Sequence, residues 1–317
     1  MDHVVCVPRL PMAGETLAAT ASQTVAGGKG ANQAIAAARL GCRVVMVGRV
    51  GDDVLGSTLL RGLVESAVDA RFVERDLCAA TGMAFIFVAE NGQNSIMLIA
   101  GANANLTPEH VLAAEDVLCK VSVLVTQLEI PLGTAERALE LARQNRVTTI
   151  LNPAPAQPLP QRLFGLVDFL ILNETEAGLL TGSQIDGVAA AGSVAAKLRA
   201  WGGTTVILTL GGEGALLVDE EEVHLVAHQV PVVDSTAAGD AFVGAFAAAI
   251  AEGKSPREAV RWANAAGALA ATRLGAQPSL PFRDELEAFL KRDQYRRYSQ
   301  EAPAQPGDLC EGAGLGF

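Results

Sequence analysis

The chain has 317 residues, with 24 Lys and Arg against 35 Asp and Glu, a formal charge of −11, half its residues hydrophobic and only 4% aromatic. That length suits one α/β enzyme with a large core built from Ala, Val, Leu and Ile. An acidic chain without a basic block is excluded from sequence-independent nucleic-acid binding; any phosphate it holds must be held locally, by backbone N–H groups, a lysine or a metal ion.

In chain order, 3–7 is a short apolar strand stopped by Pro8 and Pro11, and 16–25 reads as a twisted strand. A glycine turn at 26–30 leads into a helix over 31–40, closed by Gly41. Residues 44–50 have the continuous apolar character of a buried parallel strand, and 52–66 reads as the next helix. The runs 83–90 and 94–100, separated by Asn91-Gly92-Gln93, signal a hairpin. From Thr107 strands and helices alternate: helix 107–118, strand 121–127, helix 132–145, strand 147–151, a Pro-rich loop 152–160, strand 167–172, helices 174–181 and 186–201, strand 204–209. A short hairpin at 214–226 and helices over 238–252, 255–273 and 283–291 follow. Alternation predicts a doubly wound parallel sheet with helices on both faces. The early strands and the 83–100 hairpin fall outside it and read as a small β element, a lid over a site. Residues 295–317 show little periodicity and read as a disordered tail.

The five cysteines form no C-x-x-C pair, and four histidines are too few to complete a zinc site, so free thiols in a reducing compartment are expected. No apolar run reaches spanning length, and Asp2 and His3 stand where a signal peptide carries basic residues. The expected location is the cytoplasm.

Four stretches carry candidate chemistry. Asp234-Ser-Thr-Ala-Ala-Gly-Asp240 directly precedes an apolar helix. Small residues there let an anion reach N–H groups that lack intrahelical partners. Asp240 is either an ordinary acid of a first helical turn or a base that takes a hydroxyl proton as a phosphoryl group arrives. The stretch Ala26-Gly-Gly-Lys-Gly-Ala-Asn-Gln-Ala34 is neither a Walker A loop nor G-x-G-x-x-G. Gly28 and Gly30 suit a tight turn, and Asn32 offers a donor and an acceptor to a polyol; an ordinary strand-to-helix turn explains the glycines equally well. Asn173-Glu-Thr-Glu176 follows an apolar strand, where carboxylates can hold Mg²⁺ through water, but the same residues form a capping box and that reading comes first. Thr209-Leu-Gly-Gly-Glu-Gly214 either cradles a nucleotide or enters a hairpin.

These signals, together with Gly101-Ala-Asn103, Gln127-Leu-Glu129, Asn152-Pro-Ala-Pro-Ala156 and Gly275-Ala-Gln-Pro-Ser279, resemble in order and spacing the ribokinase family of carbohydrate kinases, also called the PfkB family. The resemblance runs from Asp2 to about Leu290. It implies a ribokinase-like α/β fold with a small β-sheet lid, one kinase domain over 1–294 whose lid is split between about 2–26 and 81–101, and a homodimer formed through that lid. It implies ATP-dependent phosphorylation of D-ribose at O5. Asp240 would be the base, and Ala237, Ala238 and Gly239 the anion hole. Asp2, Gly28, Lys29, Asn32 and Glu129 would hold the sugar; Asn173, Thr209, Gly211, Gly214, Gly239 and Asn264 would line the ATP site. Glu176 would help place Mg²⁺. Asp234, Thr236, Ala270, Arg273, Gly275 and Ser279 would surround an activating K⁺, mostly through backbone carbonyls. A sibling sugar kinase, acting on deoxyribose or fructose, and a non-catalytic sugar- or nucleotide-binding protein stand as alternatives.

One departure is visible. The family opens on an apolar strand followed by Gly-Ser-x-Asn-x-Asp, and Met1-Asp2 begins inside that stretch. The expectation is a shortened start, with the first strand of the main sheet and a ribose-binding asparagine missing.

Overall fold

The computed structural model describes residues 1–91 and 93–301. The first half holds β1 (Asp2–Val7), β2 (Ala21–Val25), α1 (Lys29–Arg39), β3 (Val44–Gly51), α2 (Val54–Glu65), β4 (Val68–Asp76), β5 (Met83–Ala89) and β6 (Asn94–Ile99). A 3-10 turn at Gly101–Asn105 leads to α3 (Pro108–Ala113), α4 (Glu115–Leu118), β7 (Val123–Thr126), α5 (Leu132–Gln144), β8 (Thr148–Leu151), α6 (Gln161–Phe164), β9 (Phe169–Asn173) and α7 (Glu174–Thr181). Then come α8 (Gly187–Ala200), β10 (Thr205–Thr209), β11 (Ala215–Val218), β12 (Glu222–Leu225), α9 (Ala238–Ala251), α10 (Pro256–Ala271) and α11 (Arg283–Glu301).

The main sheet has the order β12-β11-β10-β9-β8-β7, parallel from β7 to β10 and antiparallel from there to β12. Side chains alternate between its two faces, as period 2 requires. Leu151, Leu170, Leu172, Val206, Leu208 and Leu216 enter one core, with α8 and α5. Ile150, Ile171, Ile207 and Leu217 enter the opposite one, with Phe242 and Phe246 of α9 and Val260 of α10. Each of these fully buried aliphatic or aromatic side chains contributes roughly 1.5–3 kcal/mol relative to exposure. Helix α9 is apolar nearly all round because it lies between this sheet and α1. Gly244 makes that packing close: a Cβ there would stand 2.5 Å from the Cβ of Ala36. The start of α1 is thereby fixed against the start of α9.

The lid is a separate sheet, β2-β1-β5-β6. Strand β1 pairs antiparallel with β2 and parallel with β5, in a register that sets Asp2 opposite both Val25 and Ala84. Ile96, Met97, Leu98 and Ile99 on β6 are all about half exposed.

Four expectations change. Strand β4, whose sequence Val-Asp-Ala-Arg-Phe-Val-Glu-Arg-Asp mixes charges into a weak apolar pattern, has no counterpart in the sequence reading. It is an edge strand, defined mainly by its β3 partner and by α2. The strand expected over 16–25 forms only from Ala21, where β1 supplies a partner. The helix expected over 107–118 is two helices meeting at Ala114. Helix α11 continues to Glu301, so residues 295–301 are helical rather than tail; residues 302–317, with Cys310, lie outside the described residues, as does Gly92 of the hairpin turn. Lys, Arg, Gln and Glu in 291–301 are good helix formers, and the next proline is Pro303. Cys6, Cys42, Cys78 and Cys119 are free thiols.

The parallel strands do not form one sheet. Among the described residues β3 pairs only with β4, and β7 only with β8. Both strands are mostly half-buried, whereas β8, β9, β10 and β11 are mostly buried. The two sheets are joined through helices: α1 packs on β3, α9 on β7, and the two helices on each other. Among the described residues no helix is long and apolar enough to cross a membrane.

Candidate active site

Asp240 sits in the first turn of α9 and is only 7% exposed. Its Oδ2 accepts from Asn32 Nδ2 at 2.8 Å and its Oδ1 from Gln33 Nε2 at 3.0 Å. Burial raises its pKa above the usual carboxylate value; the charge of Lys29 and the two amide donors oppose that. The N–H of Ala238 is taken by the carbonyl of Ser235 at 3.1 Å. Those of Ala237, Gly239 and Asp240 meet no acceptor among the described residues. A side chain at Gly239 would meet nothing within 4 Å, so the helix start opens onto free space. Donors without acceptors beside an approachable backbone suit an anion.

The turn before α1 builds the second wall. Gly28 has φ 95°, the left-handed region that favours glycine, and the turn leaves the N–H of Lys29 pointing at Glu129, whose Oε2 accepts it at 2.9 Å. Gly27 is packed against the carboxylate of Asp2. Asp2 is 8% exposed. Burial raises the pKa of both Asp2 and Glu129, and the charge of Asp240 adds to each shift, while Lys29 lowers both. Three acids and one lysine thus share a field. The buried Oδ1 of Asn32 has no hydrogen-bond partner in the structure, an acceptor left unsatisfied beside Asp240.

Asn173 and Thr209 are register partners at the ends of β9 and β10. Asn173 caps α7: its Oδ1 accepts from Glu176 N at 2.8 Å, and Glu176 Oε2 accepts from Asn173 N at 2.9 Å. The capping reading of this motif therefore holds, and Glu176 still has its other oxygen. Burial raises the Glu176 pKa, with Lys29 and Asp240 close enough to act on it. Gly211 and Gly214 have φ 52° and 100°, and a Cβ at Gly214 would stand 2.1 Å from the carbonyl oxygen of Leu225. Asn264 Nδ2 donates to that same oxygen at 3.0 Å, so α10 and the 211–214 loop meet there.

Asp234 ties two loops together. Its Oδ1 accepts from Thr236 N at 2.9 Å and from the Thr236 hydroxyl, and its Oδ2 accepts from Gly275 N at 2.9 Å. Val233 and Asp234 donate to the Ala271 carbonyl. The guanidinium of Arg273 pairs with Glu285 and takes no part in this junction; the Ser279 hydroxyl donates to Ala276 O. Among the described residues no group of three or more His, Cys, Asp or Glu side chains is arranged to hold a metal ion.

Sequence reasoning gave no role to Gly27, Gln33, Gln127 or Asn152. Gln127 and Asn152 each follow directly on a parallel strand, β7 and β8, as Asn173 ends β9. That position, the C-terminal edge where such sheets bind ligands, is the signal that would have found them.

The sequence profile of the pfkB family carbohydrate kinases matches residues 1–283. A ribokinase of Haemophilus influenzae is 40% identical over 291 residues, covering 92% of this chain and 95% of that one. A deoxyribokinase of Salmonella typhimurium is 36% identical over 296 residues, covering 93% and 97%. The solved structure of Arabidopsis thaliana ribokinase, complexed with ribose and ATP, superposes with a TM-score of 0.83 at 33% identity, covering 92% of this chain and 95% of that one. With its sheet, lid and acid-bearing helix start in place, the chain belongs to the pfkB family of carbohydrate kinases.

Proposed function

We propose that this kinase transfers the γ-phosphoryl group of ATP to O5 of D-ribose. The observation that carries the reading is Asp240: a buried carboxylate at a helix start, flanked by N–H groups without acceptors and held by the amide donors of Asn32 and Gln33. Asp2, Glu129, Asn32 and the Gly28-Lys29 turn bind the sugar hydroxyls. Asp240 takes the proton from the 5-hydroxyl as that oxygen bonds to the γ-phosphorus and the bond to the ADP oxygen breaks. The N–H groups of Ala237, Gly239 and Asp240 stabilise the charge that develops on the phosphoryl oxygens. Asn173, Thr209, Gly211, Gly214 and Asn264 line the nucleotide side.

Glu176, with an oxygen free of the cap, suits Mg²⁺ held through water. Asp234 and Thr236, with carbonyls of Ala270, Arg273, Gly275 and Ser279, suit K⁺; Arg273 serves only through its backbone, since its side chain is paired with Glu285. When bound, these cations neutralise phosphate charge and add positive potential beside the anion hole. Residues 1–294 act as one domain in the cytoplasm, with the lid segments of about 2–26 and 81–101 closing over the sugar and pairing with a second copy.

The test is ADP release from the purified protein across pentoses and hexoses, with Mg²⁺ and with or without K⁺. D-Ribose should give the highest kcat/KM, and Asp240→Asn should lower kcat by a factor on the order of 10²–10⁴. Near-normal turnover in that variant defeats the mechanism. The Salmonella deoxyribokinase relative makes 2-deoxyribose the competing substrate, and a preference for it in the panel replaces ribose.

A further inference from the structure

Asp240 does not stand alone in the buried site; a chain of side-chain amides reaches it from the main sheet. Asn152, directly after β8, donates from Nδ2 to the carbonyl of Ile171 on β9 at 2.9 Å. That backbone oxygen can only accept, so the Asn152 amide has one orientation and its Oδ1 faces Gln33. Gln33 Nε2 donates to Asn152 Oδ1 at 3.1 Å and to Asp240 Oδ1 at 3.0 Å. Gln33 Oε1 in turn accepts from Gln127 Nε2. Gln33 and Asn152 are only 3% and 7% exposed. Gln127 fits because Gly30 has no side chain: a Cβ there would stand 3.2 Å from Gln127 Oε1.

We propose that Gln33 is a positioning residue for the kinase reaction, holding the Asp240 carboxylate in one plane and in its charged state, with its own amide oriented by Asn152 and Gln127. The inference rests on the reading of Asp240 as the base. If the Gln33 amide turned over, its oxygen would face two acceptors, Asn152 Oδ1 and Asp240 Oδ1, and its NH₂ would face the NH₂ of Gln127. Every contact would become repulsive, which is why the orientation is unique. With Asn32 on Oδ2 and Gln33 on Oδ1, both carboxylate oxygens carry a donor, and the charged groups acting on Asp240 are Lys29 of α1, Asp2 of β1, Glu129 after β7 and Glu176 of α7.

A Gln33→Met variant fills similar volume without the amide. Losing a donor to the charged form moves the Asp240 proton uptake to higher pH, so the acid limb of the kcat profile should shift upward, with kcat down about tenfold or more and KM for ATP unchanged. Gln127→Met should shift the limb the same way by less, because it frees the Gln33 amide without removing it. Gln127→Glu, equal in size but with an acceptor facing Gln33 Oε1, should cost more than Gln127→Met. Unmoved acid limbs in both Gln33→Met and Gln127→Met, with Asp240→Asn inactive, overturn the inference alone. Retained turnover in Asp240→Asn overturns the base assignment and the inference with it.

Discussion

The carboxylate of Asp2 occupies the space that a side chain at Gly27 would need: a Cβ on Gly27 would stand 1.9 Å from Asp2 Oδ2 and 2.3 Å from its Cγ. The lid strand and the turn before α1 are therefore fitted to each other through one missing methyl group. Both ends of the contact are buried in the site, so neither can relax into solvent.

Gly27→Ala should push Asp2 away from the proposed sugar site. A displacement of about an ångström at a positioning group lowers kcat/KM on the order of a hundredfold. The loss should appear as a function of ribose concentration and leave KM for ATP close to the wild-type value. A variant with unchanged ribose kinetics removes Asp2 from the sugar site.

Much of this arrangement was legible in the sequence. The 234–240 stretch, the 26–34 turn and the alternating strands from Thr107 onward carry local signals: small residues before an apolar helix, glycines at a turn, apolar runs of strand length. The contacts that join them were not legible, because they are long-range. Gln33 reaches Asp240 only because Gly244 lets α1 and α9 approach, and nothing near Gln33 in the chain encodes that. Gln127 and Asn152 lie in recognisable motifs, yet their contacts appear only once β7 and β8 lie side by side. Strand β4 was missed because an edge strand with charges on its exposed positions has no strong period of its own.

Glu129 is buried, and burial opposes its ionised form. Its pKa is raised, with burial as the main cause, so its contribution to stability is fully present below the unfolded carboxylate value and is lost as pH rises through the folded one. Once ionised, the buried carboxylate costs stability. Glu129→Gln retains an oxygen to accept from Lys29 N–H and removes the charge. Its Tm should exceed that of wild type at pH 7, the gap should shrink toward pH 4, and ribose affinity should fall. Thermal unfolding across that pH range checks the sign; a lower Tm at pH 7 means that the attraction of Lys29 outweighs burial.

Strand β6 of the lid exposes an apolar surface. Ile96 and Leu98 are 55% and 49% exposed, and their register partners on β5, Ile86 and Ala84, place them on the face that carries Asp2. Contiguous exposed apolar groups of this kind mark contact surfaces. The wild-type protein should elute at twice the chain mass in light-scattering chromatography. The double variant Ile96→Lys, Leu98→Lys should elute as a monomer with a raised ribose KM. A monomeric wild type removes the dimer from the proposal.

Asp234 couples the loop before α9 to the 275 turn, and Asp234 and Gly275 are 41 positions apart in sequence. Burial works against its charge, but hydrogen bonds from Thr236 and from Gly275 N–H outweigh it and hold the pKa below the usual carboxylate value. The charge is therefore present throughout the working pH range, and a pH effect from this group should appear only on acidification. An asparagine at 234 accepts through one oxygen instead of two, so either the Thr236 tie or the Gly275 tie is lost. Both loops supply groups proposed to surround K⁺, and their relative position sets whether those carbonyls converge. Asp234→Asn should therefore bring the ratio of activity with and without KCl close to one, while ribose KM changes little. Thr236→Val removes a single hydroxyl and should weaken the response only in part. Full K⁺ stimulation in Asp234→Asn, measured by ADP release over a KCl titration, separates this junction from the cation.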